Sequence, residues 1–415
     1  KLAPCVMMSP LSIAQYLPAD AKPFDVVIFD EASQIPVWDA IGAIARGSQV
    51  VIVGDPEQLP PTSVGQRGVD DEDDDGSTIQ SQQSILDECL ASNLPSMRLS
   101  WHYRSRHESL IAFSNAKYYR GELMTFPSPV TRDTAVRYIH VADGVYERGG
   151  AKVNRKEAAA VVAEIVRRAK NSSESIGVVT FNSEQQRLIE NMLDQERRSD
   201  PSLEPHFDRN QTREPVLVKN IENIQGDERD IIILSICYGP GPDGRMLMNF
   251  GPINQRGGEK RLNVIFSRAK HRMAVVATIE PEAITNIHNE GASALKTFLE
   301  FAKASAAGEV ERSQAILAGL NAGAQAAFAA PGERDALKSS LAEALRKRGH
   351  VVHENVGRSS FRCDLAIVGE RAEDYALGIL LDAPGAALAD AHERYVLRPQ
   401  VLRNFGWRVA DVLSH

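Results

Sequence analysis

Two adjacent carboxylates, Asp30 and Glu31, close the stretch FDVVIFDEASQIP (24–36), directly after a run of β-branched and aromatic residues. An unpaired charge inside an apolar strand is costly, so the pair belongs at the strand's exposed carboxyl end, where open α/β sheets meet their ligands. The plainer alternative is a strand followed by an acidic N-cap that starts the next helix. Residues 49–63, QVVIVGDPEQLPPTS, repeat the pattern: a β-branched run, then Gly54, Asp55 and a polar turn stiffened by Pro56, Pro60 and Pro61. Two strands thus deliver polar groups to one edge. With Asp30 holding magnesium, Glu31 as the base that positions water and Gln58 sensing a γ-phosphate, the set meets the requirements of phosphoryl transfer.

The elements that must position these groups are strands alternating with helices, and 415 residues with 43% hydrophobic content allow two or three such domains. Cys5, Cys89, Cys237 and Cys363 are far apart and form no C-x-x-C pair, which suggests neither a zinc site nor a disulfide framework and fits a reducing, cytoplasmic location. The longest apolar runs are strand-sized rather than membrane-sized. The net charge is −8, but six acids fall in VDDEDDDG (69–76), an expected solvated loop, and without them the remainder is −2. Basic residues gather in WHYRSRH, EKRLNVIFSRAKHR and ALRKRGH, so local fields are positive where the total is not.

DEASQ (30–34) and GDPEQLPP (54–61) resemble motifs II and III of the superfamily 1 helicases, in the Upf-like branch. WHYRSRH (101–107) resembles that branch's YRMH motif at the start of the second RecA-like lobe, with Ser105 and Arg106 departing from it; Arg104 would reach ATP across the cleft. QGDERD (225–230) resembles motif V, placing Gln225 and Gly226 in a ligand-facing turn and Glu228 near the ribose. KRLNVIFSRAKHR (260–272) resembles motif VI; Arg261 and Arg268 are seven apart, a spacing that puts both on one helical face, and the resemblance makes Arg268 a finger on the γ-phosphate. Gly54, Asp55, Gln225, Gly226, Glu228 and Arg261 are then the nucleotide-contacting set, with ATP and Mg2+ as cofactors.

The fold class the resemblance implies is α/β. It comprises a partial first RecA-like lobe (1–97) and a complete second one (98–280), each a parallel sheet flanked by helices. It further implies translocation, 5′ to 3′, along a single-stranded nucleic acid, DNA ahead of RNA, held by Ser9, Ser12, Thr180 and Asn182. The sequence contains no G-x-x-x-x-G-K-[ST], and it opens at Lys1 in what reads as mid-domain, so the expectation is a fragment whose phosphate loop lies upstream.

Residues 281–332 turn Ala- and Gly-rich and read as a helical linker, with one helix over 292–304. Residues 333–415 read as helix, three strands, helix, strand, and resemble the Vsr-like branch of the PD-(D/E)XK nucleases, with Glu343, Asp364 and Asp382 as a metal-binding remnant. Leu380 stands where that family carries a strand acid, so the expected module is degenerate, binding nucleic acid or a protein partner without cutting. A magnesium-dependent endonuclease with an accessory motor, and a scaffold with neither activity, are the competing readings.

Overall fold

The computed structural model describes residues 5–18, 20, 22–61, 84–321, 336–381 and 392–412. The acidic run at 70–75 and Asp382 lie outside the described residues. The chain divides into two compact units, Lys1–Leu99 and Ser100–His415.

The first unit runs α1 (Pro10–Tyr16), β1 (Phe24–Phe29), α2 (Val37–Ile44), β2 (Gly47–Ile52) and α3 (Ile85–Ala91). β1 and β2 pair in parallel, Phe29 beside Ile52, which requires the crossover that α2 supplies. Ala40 and Ala43, one turn apart on α2, pack with Phe29, Ala32, Ile85 and Leu86 to form the small core. α3 begins at a capping box in which Ser84 and Asp87 satisfy each other's backbone amides.

The second unit is built on a five-stranded sheet of order β3-β7-β6-β4-β5. Its strands are β3 (Val136–His140), β4 (Ile176–Thr180), β5 (Leu217–Asn220), β6 (Arg229–Ser235) and β7 (Ala269–Ala277), and every pairing is parallel. An all-parallel sheet is covered on both faces, hence the continuous apolar runs in β4, β6 and β7. Against one face lie α5 (Arg155–Asn171) and α6 (Ser183–Ser199). α5 contributes Ala158, Val161, Val162 and Ile165, an unbroken i, i+3, i+4, i+7 stripe, and α6 adds Ile189 and Leu193. Helices α4 (Glu108–Lys117), α7 (Gly258–Phe266) and α8 (Glu290–Ala307) meet through aromatics: Phe266 stacks on Phe298 at 3.6 Å between centroids, and Phe113 sets its edge against both.

Residues expected to form a linker are therefore part of this unit. α8 is longer than the helix read from sequence and buries Leu295, Phe298, Leu299 and Ala302. It turns through Gly308 into α9 (Val310–Leu320). The Ala-rich composition that reads as a bridge is what lets α8 pack closely. Residues 322–335 lie outside the described residues.

The C-terminal module follows the expected order: α10 (Ala336–Lys347), β8 (Val352–Val356), β9 (Cys363–Val368), β10 (Tyr375–Leu381), α11 (Arg398–Asn404) and β11 (Val409–Val412). Its sheet has the order β11-β10-β9-β8, antiparallel except between β10 and β11. α10 covers Val352, Leu365, Ile379 and Leu381 through Leu341, Ala342 and Leu345.

A second core joins this module to the segment that opens the unit: Phe126 packs with Phe361, Cys363, Leu402 and Trp407, bordered by Trp101 and Met124. Polar groups complete the joint. Trp407 Nε1 donates to the Pro127 carbonyl at 2.7 Å, and buried Glu108 accepts from Thr125 Oγ1 at 2.5 Å and from the Arg358 amide at 3.0 Å. Burial pushes the Glu108 pKa up even though Thr125 and Arg358 favour its charged form. Among the described residues no helix is long and apolar enough to cross a membrane.

Because this core ties the module to the segment that opens the unit, Phe126→Ala should lower the stability of the second unit by about 3–5 kcal/mol. Denaturant unfolding followed by Trp407 fluorescence and by far-UV circular dichroism should show both midpoints falling together. Loss of the fluorescence transition alone, with the helical signal unmoved, would show that the sheets unfold independently.

Candidate functional site

In the first unit Asp30 follows the last residue of β1, and both it and Glu31 are exposed. Glu31 adopts a left-handed conformation, φ 53°, and its amide donates to Asp30 Oδ1 at 2.9 Å. No side-chain cap bond forms at Glu31, and α2 is preceded by Pro36, so the acidic N-cap alternative is not what these residues do. The turn is held from β2's side: the Val53 amide donates to the Phe29 carbonyl, and the Ala32 amide to the Val53 carbonyl.

Gly54 lies against that turn, where a Cβ would come within 3.1 Å of the Ala32 and Ser33 amide nitrogens. Asp55 organises the next turn, accepting from the Glu57 amide at 3.0 Å and from Gln58 Nε2 at 2.8 Å. Gln58 is thereby aimed by Asp55. Ser9 and Ser12 pair at 2.9 Å as the cap of α1, Ser9 Oγ accepting from the Ser12 amide.

In the second unit three separated stretches converge at the amino ends of β6 and β7. Arg104 Nε lies 2.6 Å from Glu228 Oε2, and its NH1 donates to the Ser267 carbonyl. Glu228 Oε1 is 3.2 Å from Lys270 Nζ, which also reaches Glu214 at 3.2 Å. Burial opposes ionisation of Glu228, but Arg104 and Lys270 outweigh it and hold its pKa below the ordinary value. The Arg104 side chain is 39% exposed, so this guanidinium faces solvent while being held. Gly226, at φ 86°, turns the chain into β6.

The two remaining arginines are placed otherwise than on a shared helical face. α7 stops at Phe266 with Ser267 as its C-cap, so Arg268 lies beyond the helix. It is 2% exposed; its Nε donates to the Val264 carbonyl at 2.7 Å and its NH2 to Ser267 Oγ. A cation on the last carbonyls of a helix is well placed against the helix dipole. Arg261, also buried, pairs with Glu222 at 2.8 Å.

Thr180 and Asn182, the expected nucleic-acid contacts, are occupied locally. Thr180 is 0% exposed and donates to the Asn182 carbonyl. Asn182 caps α6 by accepting from the Gln185 amide and donates to the Lys152 carbonyl. In the C-terminal module Glu343 is exposed and pairs with Lys347, whereas Asp364 Oδ2 accepts from the Leu381 amide at 2.8 Å.

Residues 5–66 and 81–280 match two families described as AAA domain, and residues 338–415 match the restriction-endonuclease-type family REase_MTES_1575. The uncharacterized ATP-dependent helicase MG140 homolog of Mycoplasma pneumoniae is 38% identical over 290 residues, 67% of this chain and 25% of that one. The 5′-3′ DNA helicase ZGRF1 of mouse is 28% identical over 268 residues, covering 62% and 13% respectively. A regulator of nonsense transcripts 1 homolog of Arabidopsis thaliana is 25% identical over 270 residues, covering 61% and 20%. The matched segments are similar to sequence found in proteins named as helicases. The chain spans about a quarter of the length of its Mycoplasma relative.

Set against these helicase segments, the structure joins motif residues Arg104 and Glu228 directly and ties both to the motif VI stretch through Ser267 and Lys270. It also contains a network the sequence reading missed. At the carboxyl edge of the sheet Glu157, 0% exposed, accepts from Ser235 Oγ at 2.8 Å, the Cys237 amide at 2.6 Å, and both the amide and hydroxyl of Thr278 at 3.2 Å. Asn154 bridges to Thr278 Oγ1 and Gln185 to Ser235 Oγ. The available signal was a glutamate in the first turn of an amphipathic helix, a position ordinarily solvated.

Burial outweighs these four donors and raises the Glu157 pKa to about 7. The folded state therefore holds this proton over a range in which the unfolded chain has released it. The stability it contributes is complete at the acid end, falls as pH rises from the ordinary value of 4.5 to about 7, and is constant above. Between pH 5 and 8 wild type should lose stability relative to Glu157→Gln, on the order of 3 kcal/mol in all. Parallel pH profiles of denaturant midpoints would rule this out.

Proposed function

We propose that the chain forms part of the motor of an ATP-dependent helicase that moves along single-stranded nucleic acid, 5′ to 3′ and on DNA in preference to RNA. The observation that carries this reading is the cluster in which Arg104, Glu228, Ser267 and Lys270, drawn from three motifs, meet with one guanidinium still open to solvent. An arginine restrained by a carboxylate and a carbonyl presents its charge in a fixed direction, the property needed to stabilise a transferring phosphate.

On this reading Glu31 orients and deprotonates the attacking water, Asp55 aims Gln58 toward the terminal phosphate, and Glu228 together with Arg261 shapes the wall that receives the nucleotide. Asp30 suits Mg2+: it is a hard oxygen donor at an exposed strand end, and among the described residues its Oδ2 accepts no hydrogen bond. The ion, when bound, would neutralise charge on the phosphates. Arg268 becomes a finger only if it leaves the Val264 carbonyl; until then it anchors the end of α7. Exposed Ser9 and half-buried Ser12 are candidates for the nucleic-acid track, and Thr180 and Asn182 support it by shaping the turn from β4 into α6. The phosphate loop would come from sequence outside these 415 residues.

The C-terminal module is proposed as a docking domain that does not cut. Leu380, standing in the place of a catalytic acid, packs against the core of Phe126, Cys363 and Trp407. An apolar side chain at that position supports a module that lacks this ligand. Asp382 lies outside the described residues.

The test uses the longer protein with its phosphate loop. ATP turnover should rise on addition of single-stranded DNA, Glu31→Gln should abolish turnover while nucleotide still binds, and Arg104→Ala should lower kcat at least about a hundredfold. Turnover indifferent to both substitutions would remove the reading.

A further inference from the structure

Besides the Arg104 cluster, the amino edge of the five-stranded sheet carries a cavity of about 470 Å³. Four guanidiniums line it: Arg137 from β3, Arg167 and Arg168 from the end of α5, and Arg272 from β7. The carboxylates available to them are few. Glu164 alone takes three, with Arg168 Nε at 2.7 Å, Arg167 NH2 at 2.8 Å and Arg137 NH1 at 3.2 Å. Glu174 takes Arg272 at 2.6 Å.

Four cations against two acids leave an excess of two positive charges. The carboxyl ends of α5 and α8 also border the cavity, and at about half a charge each they reduce the excess to about one. They do not cancel it.

Arg168 is the informative member. Its side chain is 7% exposed, yet among the described residues only its Nε makes a hydrogen bond. A guanidinium has five N–H donors in a planar fork, so the four on its terminal nitrogens are left for whatever enters the cavity it lines. Burial, ahead of the neighbouring charges of Arg167 and Arg137, lowers its pKa although Glu164 opposes the shift. A buried cation with unused donors, crowded by like charges, is what a site looks like when its counter-ion is a ligand.

We infer that this cavity is a binding site for a phosphate group, with Arg137, Arg168 and Arg272 as its donors and Glu164 as the acid that holds the guanidiniums in place. A tetrahedral phosphate offers oxygens in several directions and matches guanidinium forks arriving from β3, α5 and β7. The phosphate comes either as a free phosphorylated small molecule or as a phosphodiester of a nucleic-acid strand. The inference is independent of the motor reading, since neither Arg272 nor Arg137 belongs to the Arg104 cluster.

The experiment is calorimetric titration of the full chain with inorganic phosphate, with chloride at matched ionic strength as the blank. Saturable binding is expected, weakened on the order of tenfold by Arg272→Gln and by Arg137→Gln, and partly restored by Arg272→Lys, which keeps the charge but loses the fork. Both glutamine variants alter half-exposed side chains, and circular dichroism verifies their folds. Arg168→Met removes a buried group and is read only as a supplement.

A fluorescent oligodeoxythymidylate then identifies the source. Displacement of phosphate by the oligonucleotide, lost in Arg272→Gln, assigns the site to a nucleic-acid backbone; phosphate binding indifferent to the oligonucleotide assigns it to a small phosphorylated molecule. Heats that stay linear in phosphate concentration, or binding of equal strength in the Arg137→Gln, Arg272→Gln double variant, overturn the site.

Discussion

A parallel sheet covered on both faces leaves its polar chemistry only two places to go, the two edges where strands begin and end. β4 is buried along its whole length, and β6 and β7 are buried over their later halves. Charged groups therefore collect at strand ends, and the two units use opposite ends. In the first, Asp30 and the Gly54–Gln58 turn follow β1 and β2. In the second, Glu228 directly precedes β6, Lys270 is the second residue of β7, and the arginine-lined cavity flanks the starts of β3 and β4. The carboxyl edge of that sheet carries no exposed charge in the Glu157 network, which is closed on itself.

The same argument sorts the arginines. Arg104 sits in an irregular segment and is held from outside by Glu228, so its guanidinium stays partly solvated. Arg268 follows a helix end whose last carbonyls need donors, and the Val264 carbonyl, which also accepts from Ser267 Oγ, draws it inward. Identical side chains thus acquire opposite exposures from the backbone groups beside them. Burial and pairing oppose each other at three carboxylates: charge partners win at Glu228, and desolvation wins at Glu157 and Glu108.

The C-terminal module is fastened close to this chemistry. Arg106, two residues after Arg104, donates to the Asn404 carbonyl at 2.7 Å, lies over the Phe405 ring, and its amide donates to the Lys270 carbonyl. Glu108 follows, buried between Thr125 and Arg358. The stretch from Trp101 to Glu108 is therefore clamped between the edge of one sheet and the core of another. The aromatic cluster around Phe126 fastens the four-stranded sheet to that stretch through Trp101.

The linear sequence by itself determined the exposed end of β1, the polar turn at Gly54 and the order of elements from 336 to 412. Each of these follows from neighbours within a few positions, through β-branched runs, helical stripes, caps and glycines. It also determined which residues are chemically equipped to act. What tertiary structure decided was access. Arg268 left the helical face because α7 ended earlier than periodicity implied. Thr180 and Asn182 were taken by a cap, α8 joined a core rather than bridging a gap, and Glu157 was buried at the centre of a network. The burial of Glu157 and the restraint of Arg104 depend on contacts between residues more than eighty positions apart, with Thr278 and with Glu228, where desolvation and pairing are set by packing that no local pattern encodes.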